Sequence, residues 1–407
     1  MTRRMDVAPI RPVTLPDTGI GHGWEATVLL VATLVLLCFG LVTLYSASGF
    51  LAQRQNLPDW HYVVLQAGGA AIGLVVLWGC SRIPLGFWED CAWPLLLAVI
   101  AMLVAIILPG TTAIAPEING ARRWLVLWGV TLQPSELAKI AVVVWTARVA
   151  VRQAGQFQSL SRGLLPLLVV WGAVLFPVLL EPDLSTACLI AVLGSLVVFA
   201  AGGRIGHFLL LGALMVPVVQ AQLGVSFRAN RISSYFDQAA DPAGAGFQVR
   251  QSLVALGSGG PYGVGFGEGR QKFGFLPEAH NDFIFAMVGE EWGLLGVAFL
   301  LSLYTTLVVV GLRIARRAPD EFSQLLAVGL IGIVGVQALL HMAVGLGLVP
   351  PTGLALPLVS YGRSNQIVTL ASVGMLIAVA RATDPRVTDP TPGTRWLRWR
   401  KRGESRA

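Results

Sequence analysis

The longest uncharged stretch of the sequence constrains its fold more than any other feature. Residues 322–362 contain no Asp, Glu, Lys or Arg, whereas a helix needs only about 20 apolar residues to cross the hydrocarbon core of a membrane. The stretch is therefore too long for one crossing. Two consecutive prolines, Pro350 and Pro351, interrupt it, and such pairs end helices. It predicts two membrane helices joined by a non-helical break.

Apolar runs of the same kind recur along the chain, and the composition agrees with them. Of the 407 residues, 55% are hydrophobic and 13% are charged, about half the charged share of a soluble domain. We predict an all-α polytopic integral membrane protein with ten transmembrane helices and a large extracytoplasmic loop between helices 7 and 8. The predicted spans are 26–48, 61–81, 91–109, 134–151, 163–180, 184–203, 205–225, 283–312, 322–349 and 357–380.

The distribution of basic residues predicts the orientation. With the N-terminus in the cytoplasm, the cytoplasmic segments hold 19 of the 29 Lys and Arg residues, as the positive-inside rule expects. The predicted organisation is a cytoplasmic tail at 1–25, a membrane domain at 26–383 and a basic cytoplasmic tail at 384–407, with extracytoplasmic loops at 110–133 and 226–282. The basic tail suits contact with anionic membrane lipids, so the net charge of +7 requires no nucleic acid as a partner.

Asp282 lies where a loop enters the eighth predicted span. It immediately precedes the apolar run that begins at Phe283, and two interpretations stay open. As a helix cap, it would bond to amides that lack partners and would face the positive end of the helix dipole. As a carboxylate of raised basicity at the water–lipid boundary, it would take a proton from a substrate hydroxyl. His280, two residues earlier, forms a weak metal-ligand pattern with it.

Ionisable residues also occur inside two of the predicted spans. Glu290 and Glu291 lie at least two helical turns deeper than Asp282. Glu136 and Lys139 are three residues apart near the start of the fourth span, so they share a helix face and can form an ion pair. Such groups indicate function by default, although structural ion pairs are common. We interpret Glu136 and Lys139 as a structural pair that fixes the packing of the helices.

Charged residues also lie on the predicted outer face. Glu181 and Asp183 form an acidic turn between two spans, which can cap a helix or hold a cation; a divalent ion would need further ligands. The two external loops also carry basic residues, among them Arg122, Arg123, Arg231 and Lys272. These cations suit an anionic substrate such as a diphosphate, or they serve the solubility of the loops.

Spacing disfavours two common kinds of site. The glycine-rich run 257–269 contains neither G-x-G-x-x-G in a strand–helix context nor G-x-x-x-x-G-K, so it does not predict a nucleotide site. We interpret it as tight turns or a hinge. The four cysteines have no C-x-x-C spacing, so they indicate neither a zinc site nor a disulfide framework.

Several motifs together resemble the shape, elongation, division and sporulation (SEDS) family of bacterial membrane proteins. The resemblance covers nearly the whole chain, and the family also has ten spans. The motifs are LYSAS (44–48), GARRW (120–124), QPSELAK (133–139), EPDLST (181–186), the loop 231–269, LPEAHNDFIF (276–285), GEEWG (289–293) and PPTGLALPLVSYG (350–362).

The resemblance implies a peptidoglycan glycosyltransferase that polymerises lipid II at the outer face of the inner membrane. Asp282 matches the aspartate taken as essential in the family. It would deprotonate the acceptor sugar hydroxyl, and undecaprenyl diphosphate would leave from the lipid-linked growing chain. Glu136 and Lys139 match the polar pair near the family's central cavity. External arginines, or a divalent cation (Mg²⁺ or Mn²⁺) near Asp282, would stabilise the leaving group.

Partners follow from the same resemblance. It implies a class B penicillin-binding transpeptidase and, for a division-type member, other septal proteins. The motifs favour the division branch, and the elongation branch stays open. One departure from the family pattern is the sequence Ser360-Tyr361-Gly362-Arg363, where the family has glycine in place of Arg363; it bears on substrate contacts or partner docking. Two further functions compete with the enzyme: a lipid II flippase and a scaffold without catalysis.

Overall fold

The computed structural model describes residues 23–383, except 109, 112–114, 118–120, 128–129, 154–158, 160–162, 207, 211, 214–215 and 218–244. Its helices are α1 (Trp24–Arg54), α2 (His61–Cys80), α3 (Leu85–Asp90), α4 (Ala92–Ile107), α5 (Pro134–Arg152), α6 (Leu165–Leu180), α7 (Leu184–Ala200), α8 (Ala245–Gly259), α9 (Ile284–Arg317), α10 (Glu321–Gly345) and α11 (Arg363–Ala382). Strands β1 (Leu125–Leu127) and β2 (Val130–Leu132) form a small antiparallel hairpin before α5.

The helices confirm the predicted all-α membrane fold. Helices α1, α2, α9, α10 and α11 are long and apolar enough to cross a membrane, and α4, α6 and α7 are shorter apolar helices. Nine of the ten predicted runs coincide with a helix of the described chain. The run 205–225 lies largely outside the described residues, as do both predicted tails, so the count of ten and the domain boundaries stay predictions.

The predicted break in the uncharged stretch is confirmed. Helix α10 ends at Gly345 and α11 begins at Arg363, so the last span starts later than the predicted 357. Between them, residues 351–356 have neither helical nor strand structure. Gly353 and Leu358 have positive φ angles of 72° and 68°, which are unfavourable for a residue with a side chain such as leucine. The segment 350–362 is thus an ordered, non-helical connection.

Part of the predicted external loop 226–282 is helical. Its first part lies outside the described residues, but the apolar stretch at 247–256 belongs to α8. This helix packs on α9 and α10, and Ser252 Oγ donates to Gly345 O over 2.7 Å. This apolar stretch therefore forms a helix that packs against two others.

Glycines allow α2 and α11 to approach closely. Gly69 faces Gln366, Gly73 faces Leu370, and Gly374 faces the backbone of Leu77. The contacts advance along both helices together, so the two helices run in the same direction. Small residues at such interfaces let membrane helices pack through their backbones, where apolar burial alone gives no driving force in lipid.

Ion pairs and hydrogen bonds join the helix ends that are predicted to face the cytoplasm. Glu25 Oε1, at the start of α1, lies 3.2 Å from Arg313 Nε and 2.7 Å from Arg317 Nη1 at the end of α9. At the end of α11, Arg381 Nη1 donates to Ser81 O, which follows α2, over 3.3 Å. These contacts hold the long helices together at one end of the bundle.

Gly40, midway along α1, gives a test of the contact between α1 and the segment 350–362. A Cβ at this position would clash with Leu358 O and lie 2.7 Å from Val359 Cα. We expect Gly40→Ala to lower the melting temperature in detergent by several degrees, because backbone cannot yield as a flexible side chain does. Thermal unfolding followed by fluorescence measures this effect.

Gly68 on α2 is the matched control, because a Cβ there would have no neighbour within 4 Å. Gly68→Ala should leave the melting temperature unchanged or raise it slightly, since alanine favours helix over glycine by about 1 kcal/mol. Equal melting temperatures for the two variants would show that segment 350–362 does not press against α1.

Candidate active site

Asp282 lies beside the non-helical segment 350–362. Helix α9 begins at Ile284, and Phe283 occupies its N-cap position. Asp282 therefore lies one residue before the position whose side chain normally caps a helix. Asp282 is half-buried, and its backbone N–H donates to Glu278 O over 3.0 Å. A Cβ placed on Gly353 would lie 3.7 Å from Asp282 Oδ2. The carboxylate therefore faces the backbone of that segment.

Two hydrogen bonds fasten the segment 350–362 to the loop before α9. Ser360 Oγ donates to Asn281 O over 2.7 Å, and Tyr361 N donates to His280 O over 3.1 Å. Ser360 is buried. Ser360 therefore holds two backbone segments in register next to Asp282, and its predicted part in the site stays a prediction.

His280 packs within an aromatic group. Its ring centroid lies 5.5 Å from that of Tyr62 and 5.9 Å from that of Tyr361. Burial lowers the pKa of His280, and the negative charge of Glu278 partly offsets this effect, so the imidazole is neutral at pH 7. In the part of the chain that is described, no three His, Cys, Asp or Glu side chains form a group suited to a metal ion. A cation at Asp282 would therefore need ligands from substrate or water.

Glu136 and Lys139 form the predicted ion pair. Lys139 Nζ lies 2.5 Å from Glu136 Oε2, and both side chains are buried. Each charged group has a second partner on another helix: Asn365 Nδ2 donates to Glu136 Oε2 over 2.9 Å, and Lys139 Nζ donates to Gln337 Oε1 over 2.8 Å. The pair therefore joins α5 to α11 and α10. Additional hydrogen bonds of this kind offset the cost of removing two charges from water.

Asp183 confirms the capping interpretation of the acidic turn. Its Oδ1 accepts from Thr186 N over 3.1 Å at the start of α7. Its Oδ2 accepts from Gln133 Nε2 over 3.3 Å, and Gln133 N donates to Ser364 Oγ over 3.0 Å. The starts of α5, α7 and α11 therefore meet around Gln133.

Glu181 differs from its neighbour in the same turn. It is only 2% exposed, and among the described residues neither of its carboxyl oxygens has a hydrogen-bond partner. Burial raises the pKa of Glu181 to about 8; the charge of Asp183 raises it further, and Arg123 lowers it. Arg123 donates to the backbone O of Glu181 over 2.9 Å, not to its carboxyl group. The side chain is therefore protonated at pH 7.

The predicted site arginines are engaged within the protein. Arg122 Nη2 donates to Thr111 Oγ1 over 2.7 Å, and Arg363 Nη2 donates to Thr131 Oγ1 over 2.9 Å. The bond of Arg122 lies within the 110–133 region, whereas those of Arg123 and Arg363 tie this region to the turn before α7 and to the start of α11. The structure thus gives these three arginines a structural role, and a contact with an anionic substrate stays a prediction. Arg231 lies outside the described residues.

Lys272 corrects an expectation from the sequence. Its place in a predicted external loop suits an anionic substrate, but its Nζ is buried and lies 2.9 Å from Glu291 Oε1. Ser46 Oγ on α1 donates to the same carboxylate oxygen over 2.6 Å, and Lys272 Nζ also donates to Gly267 O over 2.6 Å. Lys272 is therefore the ion-pair partner of Glu291 inside the fold.

The glycine-rich run 257–269 wraps around the two glutamates of α9. Val264 N donates to Glu290 O over 2.9 Å, and Gly265 N donates to Glu291 O over 3.2 Å. Gly263 has φ 80°, and a Cβ there would clash with the backbone of Glu291. The prediction of tight turns is thus confirmed, and glycine is needed because two stretches of backbone lie in direct contact.

The sequence analysis did not predict a role for two buried polar side chains of α10. Gln337 Nε2 donates to Ala355 O over 2.7 Å, and His341 Nδ1 lies 2.7 Å from Leu354 O. The sequence feature that could have indicated them is the presence of two polar residues four positions apart in an uncharged run. Such residues share a helix face, and in a membrane they need a polar partner.

Comparison with known proteins identifies the family. The family model for FtsW, RodA and SpoVE, described as "Cell cycle protein", matches residues 27–384. The chain belongs to the FtsW/RodA/SpoVE family. It is 38% identical over 354 residues to the "Probable peptidoglycan glycosyltransferase FtsW" of Geobacter sulfurreducens, covering 87% of this chain and 94% of the relative. It is 36% identical over 356 residues to the "Stage V sporulation protein E" of Bacillus subtilis, covering 87% and 96%.

Solved structures of this family have the same fold. One comes from a study of the structural coordination of polymerization and crosslinking by a peptidoglycan synthase complex. Its matching chain has a TM-score of 0.73 and 28% sequence identity, and the match covers 90% of this chain and 99% of the chain in that structure. The rod shape determining protein RodA of Thermus thermophilus gives a TM-score of 0.64 and 27% identity, covering 90% and 98%. The SEDS resemblance inferred from the motifs is confirmed.

The Glu181 carboxyl should make stability depend on pH. Its pKa is about 8 in the folded protein, against an ordinary value of 4.5, so between these pH values the unfolded chain binds fewer protons than the folded one. Stability from this group is complete below pH 4.5 and is lost as the pH rises toward 8. Glu181→Gln stays neutral, so its melting temperature should exceed that of wild type by several degrees at pH 8.5 and by little at pH 4.5.

Differential scanning fluorimetry in detergent over this pH range tests the expectation. Glu117→Gln serves as the control, because Glu117 is exposed and should change the melting temperature little at any pH. A difference between Glu181→Gln and wild type that does not grow with pH would mean that Glu181 is ionised in the folded protein.

The Lys272–Glu291 pair should show strong coupling. Lys272→Met leaves a buried carboxylate uncompensated, which costs roughly 3–5 kcal/mol of stability. The double variant with Glu291→Gln should lose less than the sum of the two single variants. A double-mutant cycle from denaturant unfolding in detergent measures the coupling, and additive losses would refute a direct ion pair.

Proposed function

We propose that this protein is a peptidoglycan glycosyltransferase that polymerises lipid II at the outer face of the bacterial inner membrane. The position of Asp282 is the observation on which the proposal depends. Its half-buried carboxylate lies at the start of a membrane helix, opposite the backbone of Gly353. A base at such a boundary is partly shielded from water yet within reach of a sugar on a lipid carrier.

In the proposed reaction, Asp282 takes the proton of the acceptor hydroxyl. The resulting oxygen nucleophile attacks the anomeric carbon of the lipid-linked growing chain. The bond from that carbon to the diphosphate oxygen breaks, and undecaprenyl diphosphate leaves with the electron pair. One base and a good leaving group suit a single displacement with inversion, and general-base help of this kind contributes about 10²–10⁴ in rate.

The leaving diphosphate needs positive charge or a cation. Arg122, Arg123, Arg231 and Arg363 are the candidates near the predicted outer surface, and a divalent cation held by the diphosphate and Asp282 is the alternative. Mg²⁺ commonly binds through one or two carboxylates together with substrate phosphates. Either would stabilise charge that develops on the leaving group.

The names of the relatives favour a role in division. Relatives at 38% identity are called FtsW, so we propose septal wall synthesis, with elongation as the alternative. The synthase complex among the similar structures combines polymerization and crosslinking. We therefore propose a class B penicillin-binding transpeptidase as the partner, with further septal proteins. From the distribution of basic residues, we also propose a multi-pass topology with both termini in the cytoplasm.

A lipid II flippase is the competing function. Alternating access would have to open the bundle at its predicted cytoplasmic end. At that end, Glu25 contacts Arg313 and Arg317, and Arg381 bonds to Ser81 O. Opening would break several charged contacts at once, so the structure favours chemistry at the opposite face.

Asp282→Asn tests the proposed base. The amide has nearly the same shape but cannot accept the proton, so polymer formation from lipid II should fall by at least about 100-fold. The assay uses the purified full chain with its cognate transpeptidase, and gel separation of glycan strands measures the product. Substrate binding and melting temperature should stay close to those of wild type.

Glu278→Gln is the matched control. Glu278 is a carboxylate four residues earlier with a side chain that is 52% exposed, and its replacement should keep polymerisation within about twofold. Equal polymer from wild type and Asp282→Asn would remove Asp282 as the base. No polymer from either protein would favour the flippase, which lipid II movement in liposomes then tests.

A further inference from the structure

The segment 350–362 is unusual because helix side chains bind its backbone carbonyls. Residues inside a membrane protein normally satisfy these groups within a helix or a barrel. Here four carbonyls accept from side chains on three different helices. The pairs are Leu354 O with His341 Nδ1 (2.7 Å), Ala355 O with Gln337 Nε2 (2.7 Å), Pro357 O with Tyr304 Oη (2.5 Å) and Ser360 O with Gln66 Nε2 (3.1 Å).

The segment lies deep in the bundle, so these hydrogen bonds matter. Its partners Gly40 and Tyr304 lie well inside the long helices α1 and α9. Leu356 and Leu358 are nearly inaccessible to solvent. Because water cannot replace a lost partner there, each carbonyl depends on the side chain that faces it.

Gln337 and His341 act on consecutive carbonyls from one face of α10. They are four residues apart, which places them one turn from each other. Gln337 is bonded on both sides: its Oε1 accepts from Lys139 Nζ and its Nε2 donates to Ala355 O. The buried ion pair of α5 is thereby connected to the backbone of the segment 350–362.

The same segment then reaches Asp282. Gly353 faces Asp282 Oδ2 directly before the carbonyl that His341 holds. Farther along the segment, Ser360 Oγ donates to Asn281 O, next to Asp282 in the chain. The segment therefore contacts the Asp282 loop at Gly353 and again at Ser360 and Tyr361, and between them α10 bonds to its backbone.

We propose that Gln337 and His341 are positioning residues for Asp282, an inference that rests on the proposed function. They hold the segment 350–362 so that the carboxylate meets the acceptor hydroxyl in a productive geometry. Neither residue touches the reacting atoms. Loss of either hydrogen bond lets the segment shift, and the chemical step slows while the affinity for lipid II is largely retained.

The hydrogen bond of His341 Nδ1 to Leu354 O distinguishes two substitutions of His341 by the place of their amide nitrogen. Leu354 O can only accept, so Nδ1 carries the proton and donates. The amide nitrogen of asparagine is attached at Cγ, as Nδ1 is, whereas that of glutamine lies one atom farther out, nearer the place of Nε2. His341→Asn therefore keeps a donor where Leu354 O needs one, and His341→Gln does not.

The test compares kcat and KM for lipid II polymerisation by the purified full chain with its transpeptidase. We expect His341→Gln and Gln337→Met each to lower kcat at least tenfold while KM stays within threefold. His341→Asn should retain at least a third of the wild-type kcat. Leu339→Ala, at a position 65% exposed on the same helix, is the control and should match wild type.

Melting temperatures identify variants that fail for lack of folding. If His341→Gln does not fold, Gln337→Met carries the test, since it retains a side chain of similar length. Equal kcat for His341→Asn and His341→Gln, or a wild-type kcat for Gln337→Met, would overturn the proposal. A rise in KM with unchanged kcat would also overturn it, because the residues would then serve binding.

Asp282→Asn in the same assay separates the two proposals. If Asp282→Asn still makes polymer at the wild-type rate, Asp282 is not the base and the proposed function fails at its centre. If Asp282→Asn is inactive while the variants of Gln337 and His341 behave as wild type, only the positioning role fails.

Discussion

Inside a bilayer every backbone N–H and C=O must find its partner within the protein, and the rest of this structure depends on that constraint. Most of the chain meets it by forming helices. The segment 350–362 cannot, because it contains three prolines, and Gly353 and Leu358 have positive φ angles. Its carbonyls therefore require side-chain donors, and this requirement explains why polar residues such as Gln337 and His341 occur in an otherwise apolar stretch.

Two buried ion pairs are connected to the two chain segments next to Asp282. Lys139 acts through Gln337 on the segment 350–362, which follows α10. Lys272 pairs with Glu291 and lies in the loop that leads to Asp282. A buried pair contributes little net stability but is strongly destabilising when one partner is lost. Both connections that flank the carboxylate are thus fixed by interactions that tolerate few changes in geometry.

Local pattern predicted the helices and the contacts between residues near in sequence. The apolar runs, the proline break, the Glu136–Lys139 pair and the Asp183 cap all follow from spacing within a few residues. Contacts between distant elements did not follow. Ser46 and Glu291 are 245 residues apart, and no local feature of Lys272 distinguishes a buried partner from an external cation. The resemblance to a known family selected Asp282, but the chain's own pattern left capping and catalysis equally open.

The two ends of the helix bundle differ in a way that bears on mechanism. At the predicted cytoplasmic end, Glu25 and two arginines join α1 to α9 directly, and Arg381 joins α11 to the end of α2. At the other end, hydrogen bonds of Gln133 join the starts of α5, α7 and α11, and Arg123 bonds to the turn carbonyls of Glu181 and Pro182. The 110–133 region, which Arg123 holds against that turn by two hydrogen bonds, can shift to admit a lipid-linked sugar while the helices and the segment 350–362 stay in place. A transporter needs movement at both ends, whereas an enzyme whose substrate and product remain on one leaflet needs it only where Asp282 lies.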